Sequence, residues 1–377
     1  MNVLVINCGS SSIKFQLINV EKNNSLISGR VDEINSPKSY LKVGKDITPK
    51  KIKNHDEGVE LILNLMKSFK VDAIGHRVVH GAEYFKSSVL ITSDVIKKIE
   101  KCSPLAPLHN PANLIGIKLC KKFLPKLKQV AVFDTAFHQT IASEAYTYGL
   151  PLEYYSKYGV RKYGFHGPSH EYISLQVAQI LKKKTINIIS CHLGNGASIT
   201  AIENGKSIDT TMGFTPISGL IMGTRCGDMD VGIIPYLSVK LKKGLKDILT
   251  ILNKESGLKG ISGISDVRTL REGRNKNPKY ELALDVFTYK IALYIGAYVS
   301  ILPSVDAITF TAGIGENEAF IREKIVSKLK GLGLKLDKKK NDKNEILISA
   351  KDSKIKLMVI PTNEELMIAE ETKKVLK

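Results

Sequence analysis

The sequence predicts an α/β protein of two related domains, and three observations carry that reading. The 377 residues are long for a single hydrophobic core. A pattern of apolar strand, Gly-containing turn and Ser-Ile strand occurs at Asn7 to Ile13 and recurs at His192 to Ile199. Hydrophobic content of 43% and charged content of 25% are those of an ordinary globular chain.

Val3 to Ile6 is a short apolar run rich in β-branched residues and reads as a buried strand. Asn7 to Ser12 reads as a tight turn. The alternation of Ile13, Phe15 and Leu17 predicts a second strand, and Ser25 to Ile34 a third. Helical spacing follows over Gly58 to Phe69, then a strand over Val71 to Val79, a helix opening at Asn110-Pro111 and a strand over Gln129 to Phe133. In the second half, Ile186 to Cys191 predicts a strand, His192 to Gly196 a turn and Ala197 to Ile202 a strand, with Asn204-Gly205 as a hairpin signal. Ala307 to Phe310 is a further strand, leading into a Gly-containing turn at Gly313 to Gly315. No Pro-, Gly- or Ser-rich linker separates the halves. The boundary is expected between Thr135 and Pro151, with the final helix, Glu364 to Leu376, returning to the first domain. The expected domains are therefore 1–140 with 364–377, and 141–363.

The formal charge is +19, from 56 basic and 37 acidic residues. Only eight of the basic residues are Arg (30, 77, 161, 225, 268, 271, 274 and 322), and the lysines are scattered, so a solvated Lys-rich surface is favoured over nucleic-acid binding. Five cysteines with no CxxC spacing argue against disulfides and a zinc cluster. No basic region precedes the first strand, so no signal peptide is expected, and the location is expected to be cytoplasmic. The apolar stretch Glu281 to Leu302 is interrupted by Asp285 and Lys290 and reads as a buried core helix, with no membrane partner.

The three Gly turns after strands have backbone N–H groups suited to phosphate oxygens, yet none is a Walker A or GxGxxG sequence. Arg77 ends an apolar strand, and Arg225 lies in the Gly-flanked loop Met222 to Asp230. Two such guanidinium groups suit a carboxylate and a transferring phosphoryl group. Asp134 ends a strand, and Glu364 follows an apolar run. Both are either oxygen donors toward Mg²⁺ or, equally, helix-capping and first-turn acids. His166 and His170 are four apart, but Gly167-Pro168 argues against one helix face carrying both. His166 is then a hydrogen-bond donor to developing charge, and His170 helps start the next helix.

At this point ten ordered stretches resemble the acetate kinase family, within the sugar kinase, Hsp70 and actin group. They are Asn7 to Lys14, His76 to Gly81, Pro104 to Pro111, Phe133 to Gln139, Arg161 to His170, His192 to Ser198, Met222 to Asp230, Leu252 to Arg268, Ala312 to Asn317 and Thr362 to Ala369. The resemblance implies two ribonuclease H-like domains of duplicated βββαβαβα type with a cleft between them. It also implies a homodimer and reversible transfer of the ATP γ-phosphoryl group to acetate, giving acetyl phosphate and ADP. Mg²⁺ is the implied cofactor, with Mn²⁺ able to substitute.

By the same resemblance, Asn7 and Glu364 serve the metal, Asp134 is an essential acid near it, and Arg77 and Arg225 flank the acyl substrate. His166 touches the transferring group and, with Arg225, stabilises the transition state. ATP falls to Lys14, to His192, Leu193, Gly194, Asn195 and Gly196, to Asp266, Val267 and Arg268, and to Gly313, Ile314, Gly315, Glu316 and Asn317. Val79, Leu108, Phe165 and Pro216 form the pocket for the substrate methyl. The chain departs from the family's usual Gly at Ala82, Leu-Glu at Ile217-Ser218, Pro at Val231 and Phe at Val267. Rival readings are a propionate or butyrate kinase, an actin- or Hsp70-like ATPase module, and a nucleic-acid-binding protein.

Overall fold

The β-branched run near the N-terminus forms the centre of the first sheet. A computed structural model describes residues 1–377. Two compact units comprise Met1–Gln139, Gly167–Ser169 and Asn363–Lys377, and Thr140–His166 and His170–Thr362.

In the first unit, β1 (Asn2–Cys8), β2 (Ile13–Asn19), β3 (Asn24–Asp32), β4 (Tyr40–Val43), β5 (Asp46–Pro49), β6 (Ala73–Val78), β7 (Val89–Leu90) and β8 (Lys128–Phe133) form one sheet. Its order is β5-β4-β3-β2-β1-β6-β8-β7. Strands β1, β2 and β3 are antiparallel neighbours, whereas β6 runs parallel to β1 and β8 parallel to β6. Both faces of β1 and β6 are covered, which is why these strands are continuous apolar runs. On one face Leu4, Ile6, Ile13, Leu17 and Ile74 pack with Val59 and Ile62 of the helix His55–Met66. On the other lies the C-terminal helix Glu364–Leu376, against β1, β6 and β8. That helix approaches β6 so closely that a Cβ on Gly75 would lie 2.5 Å from Thr372 Oγ1 and 2.8 Å from Ile368 Cγ2.

In the second unit, β9 (Ile188–Leu193), β10 (Ala197–Glu203), β11 (Lys206–Thr210), β12 (Ala307–Thr311) and β13 (Lys356–Val359) form a sheet of order β11-β10-β9-β12-β13. Strands β9, β10 and β11 are antiparallel, and β12 and β13 continue in parallel. The core of the first sheet, β3-β2-β1-β6-β8, has the same third-second-first-fourth-fifth order and the same strand senses. This is the duplicated α/β topology that the repeated turn predicts. Asn204 and Gly205, with φ of 49° and 76°, make the hairpin between β10 and β11.

Several local expectations need correction. Asn7 and Cys8 belong to β1, and His192 and Leu193 to β9, because the ladder continues to Cys8↔Ile13 and Ala197↔Leu193. Gly313 to Gly315 is no turn but part of a helix, Ala312–Asn317. Its terminal carbonyls, on Gly315 and Glu316, accept from the buried Arg322 Nη1 at 2.8 and 3.1 Å, and this satisfies groups that a short helix leaves unpaired. The first helix starts at His55, not Gly58, because Asn54 Oδ1 accepts from Glu57 N–H at 3.0 Å and caps it. The helix Pro278–Ile301 is only partly buried. Leu284, Phe287, Ile291 and Ile295 face the core, while Leu282, Tyr289, Leu293 and Ile301 are exposed. By length and composition alone it is also apolar enough to cross a membrane.

Gly75→Ala forces either Ile368 or the strand to shift, an overpacking that typically costs about 1–3 kcal/mol. The expected outcome is a lowered thermal unfolding midpoint by circular dichroism, and an unchanged midpoint contradicts this packing.

Candidate active site

In the first unit, parallel pairing of β6 with β8 brings two strand ends together. Arg77 pairs with Val132, Val78 with Phe133, and Asp134 N–H then donates to Val78 C=O at 3.0 Å. Arg77 and Asp134 thus lie side by side at the carboxyl ends of parallel strands, where ligands bind in open α/β sheets. The guanidinium meets the carboxylate in a fork, Nε to Oδ1 at 2.8 Å and Nη2 to Oδ2 at 2.7 Å. Its remaining nitrogen, Nη1, lies 3.8 Å from Glu364 Oε2. Burial by itself lowers the pKa of Arg77, but Asp134 and Glu364 outweigh it and hold the guanidinium above its ordinary value.

Glu364 opens the C-terminal helix, which is capped by Asn363, whose Oδ1 accepts from Leu366 N–H at 2.9 Å. Asn7 stands directly opposite Lys14 across the β1–β2 ladder. Val79 is buried, and Leu108 is exposed. The segment after Arg77 is held by two buried asparagines. Asn113 accepts from Val79 N–H at 3.1 Å and donates to Cys8 C=O at 2.7 Å. Asn110 accepts from His80 N–H at 3.0 Å and donates to His80 C=O at 2.9 Å. Next to this segment Ala82 adopts φ of 48°, the left-handed region that glycine occupies without penalty, which gives a physical reason for a Gly at that position.

No three His, Cys, Asp or Glu side chains converge as a metal cage. Mg²⁺ at a nucleotide needs only one or two carboxylates, with water and phosphate completing its shell. The hard oxygen donors of Asn7 and Glu364 fit that mode, while both oxygens of Asp134 already accept from Arg77.

In the second unit, Gly194 N–H donates to Gly196 C=O at 3.1 Å and closes the turn between β9 and β10. Asn195 C=O accepts from Gly223 N–H at 3.2 Å, which ties this turn to the loop carrying Arg225. That loop is braced by Leu258 N–H to Met222 C=O and Lys259 N–H to Gly223 C=O. The brace needs Gly257, with φ of 63°, because a Cβ there would lie 2.1 Å from Met222 O. Arg225 is half-buried and donates only to neutral groups, Pro216 C=O at 3.1 Å and Met222 Sδ at 3.6 Å. No carboxylate pairs with it, and burial lowers its pKa.

His166, φ 57°, immediately precedes the helix Gly167–Leu181. Its ring stacks on His192, centroids 4.1 Å apart, and its Nδ1 is 2.9 Å from Ser198 Oγ. From the position a Gly196 Cβ would take, Arg225 Nη1 and the Cε1 and Nε2 atoms of His166 are each 3.5 Å away. Two nitrogens and a backbone turn therefore surround one small space. Pro216 adjoins Arg225, and Phe165 is buried. His170 is the fourth residue of its helix, in the first turn, and its ring bonds Ser190 and Ser198.

Of the remaining expected positions, Asp266 caps the helix Val267–Gly273 by accepting from Thr269 N–H at 2.9 Å, which holds its carboxyl below the usual range. Val267 is buried, and the Arg268 side chain is 73% exposed. Gly313 to Asn317 lie in their short helix, where Glu316 Oε1 accepts from Thr362 N–H at 3.0 Å. Sequence reasoning missed Asn110, Asn113 and Ser198 as supporting groups. The two asparagines, three apart on one helix face, were the available signal.

Strand-end cations of this kind suit an anionic ligand such as a phosphoryl group. The sequence matches the Acetokinase family over residues 2–370. It is 49% identical to an acetate kinase of Halothermothrix orenii, with both chains fully covered. Among solved structures, a Porphyromonas gingivalis acetate kinase superposes with a TM-score of 0.94 at 43% identity, with both chains fully covered. A Francisella tularensis propionate kinase superposes at 0.97 with 45% identity, covering 99% of each chain. The chain belongs to the acetokinase family and is a kinase.

Gly196→Ala places a methyl in ordinary contact distance of the protein but inside the space shared by Arg225 and His166. The expected outcome is an unchanged unfolding midpoint with at least ~10-fold lower kcat/KM for ATP-dependent turnover, since sub-ångström misplacement of reacting groups is costly. Undiminished kinetics contradict the importance of that space.

Proposed function

We propose that the protein transfers the γ-phosphoryl group of ATP to acetate, reversibly and in line, giving acetyl phosphate and ADP. The observation that carries this reading is Arg225, a half-buried cation with no acid partner, facing the same space as His166 Nε2 and the Gly196 turn. Such an arrangement suits an incoming anion.

Acetate is ionised at neutral pH, because carboxyl pKa values lie at about 4, so the nucleophile needs no general base. The residues supply positioning and charge neutralisation. Arg225 and Nη1 of Arg77 hold the carboxylate and γ-phosphate, and His166 donates to an equatorial phosphoryl oxygen. Asp134 keeps Arg77 oriented through its fork. Lys14, Asn195 and Gly196 contact phosphates, and the nucleoside lies against Asp266, Val267 and Arg268 and the helix bearing Gly313 and Asn317. Mg²⁺, or Mn²⁺ in its place, supplies neutralisation of the β- and γ-phosphates when bound. Asn7 and Glu364 hold it, largely through water.

Val79, Leu108, Phe165 and Pro216 receive the substrate methyl. Acetate is the preferred substrate, though one methylene is worth only about 1–3 kcal/mol, so propionate is turned over more slowly. A second reading, in which propionate is preferred, draws on the 45%-identical relative described as a propionate kinase.

Homodimerisation and a cytoplasmic location belong to the same proposal. The helix Ile233–Leu241 buries none of its residues, and Tyr236, Val239 and Leu241 are exposed, as are Leu282, Tyr289 and Leu293 on the helix Pro278–Ile301 of the same unit. Apolar helix faces of this kind suit a second copy of the chain.

Purified protein with Mg-ATP, acetate and hydroxylamine is expected to form acetyl hydroxamate, dependent on ATP and acetate and exceeding the propionate signal. No hydroxamate from any short carboxylate, with ATP still bound, contradicts the proposal, and a larger propionate signal selects the second reading. Arg225→Ala is expected to lower kcat by about 10²–10³, the usual cost of removing one donor to a developing charge.

A further inference from the structure

Strand alternation and pairing place three polar side chains on one face of the second sheet. Ser190 and His192 are two apart on β9, and Ser198 of β10 stands directly opposite His192. Ser190 and Ser198 are fully buried. Between them lies the His170 ring, Nδ1 at 2.9 Å from Ser190 Oγ and Nε2 at 2.8 Å from Ser198 Oγ. The same Ser198 Oγ is 2.9 Å from His166 Nδ1. The result is a continuous chain, Ser190–His170–Ser198–His166, ending at the ring edge that faces Gly196 and Arg225.

A serine hydroxyl has one proton, so it donates to only one of two imidazole nitrogens and accepts from the other. Two orders are self-consistent. In one, His170 Nε2–H donates to Ser198, Ser198 donates to His166 Nδ1, and the His166 proton stands on Nε2. In the other, every bond is reversed and the His166 proton stands on Nδ1. Only the first order gives His166 a donor for a phosphoryl oxygen.

We propose that Ser198, anchored by His170 and Ser190, is a positioning residue that fixes His166 in the Nε2–H tautomer, with the His192 face holding its ring plane. The bond at one ring nitrogen sets the proton at the other. This assignment rests on the phosphotransfer reading, which selects between the two orders.

The test uses full-length protein with ¹⁵N-labelled histidine and long-range ¹H–¹⁵N spectra, the His166 signals being assigned with His166→Asn. In the unaltered protein Nε2 is expected to carry the proton and Nδ1 to be the bare acceptor. Ser198→Ala is expected to mix the tautomers and lower kcat by ~10–10², with KM values within about threefold, as for loss of an interaction made only in the transition state. Ser198→Thr, which keeps the hydroxyl, is expected to restore the tautomer and most of kcat. Ser190→Ala is the milder lesion at the far end and mixes the tautomers to a smaller degree. An unaltered protein with its proton on Nδ1, or both alanine variants retaining the single Nε2–H tautomer, overturns the proposal. Tautomer mixing in an enzyme that phosphorylates some other acceptor sustains the Ser198 assignment and overturns only the acetate reading.

Discussion

The guanidinium–carboxylate fork between Arg77 and Asp134 is the interaction on which the first unit's site depends. Asp134 is 1% exposed, and burying a carboxylate is costly unless it is paired and hydrogen-bonded. Its partner comes from the neighbouring strand end, in the register that β6 and β8 impose. Removing one member of such a buried pair typically costs about 3–5 kcal/mol, because the other is left as an uncompensated charge. The fork also has a direction. It engages Nε and Nη2 and leaves Nη1 pointing toward Glu364. Asp134 shapes its surroundings through the backbone as well, since its carbonyl accepts from Gly167 N–H at 3.0 Å, with no room for a Cβ on Gly167.

The two arginines are held in opposite ways, and the contrast organises the proposed chemistry. Arg77 is neutralised before any ligand arrives. Arg225 is held by a carbonyl and a thioether, so its charge is not cancelled. One oriented and one uncompensated guanidinium suit a reaction in which a carboxylate and a phosphoryl group, both anionic, must be brought to one another. The proposed chemistry asks for positioning more than proton transfer, and backbone braces such as those from Asn110, Asn113 and the Gly257 helix suit it.

Much of the framework was legible because it is written in short β-branched runs. Val3 to Ile6 and Ile186 to Cys191 announce the two central strands, and the repeated Gly turn announces the duplication. Strands β4, β5 and β7 escaped because they are two to four residues long and β5 is wholly exposed, too short to display a period of two. The helix Ala312–Asn317 was read as a turn because its glycines dominate the local signal, while the buried Arg322 that satisfies its carbonyls is a tertiary contact. At the site, the strand-end charges Arg77 and Asp134 were visible one at a time. Their fork was not, because it depends on a strand register fixed by sequence between them. Ser198 was invisible for a different reason. Within Ala197 to Ile202 a lone serine reads as one more position of a buried strand, and only the sheet brings two histidines to it.

The central claim is that a carboxylate oxygen of acetate becomes bonded to the transferred γ-phosphorus. Acetate labelled with ¹⁸O in both oxygens, incubated with Mg-ATP and the enzyme, tests it by the isotope shift in the ³¹P spectrum of the product. A carboxylate acceptor predicts acetyl phosphate whose phosphorus bears one ¹⁸O, the bridging atom. Unlabelled phosphorus, or inorganic phosphate as the only phosphoryl product, would contradict the account.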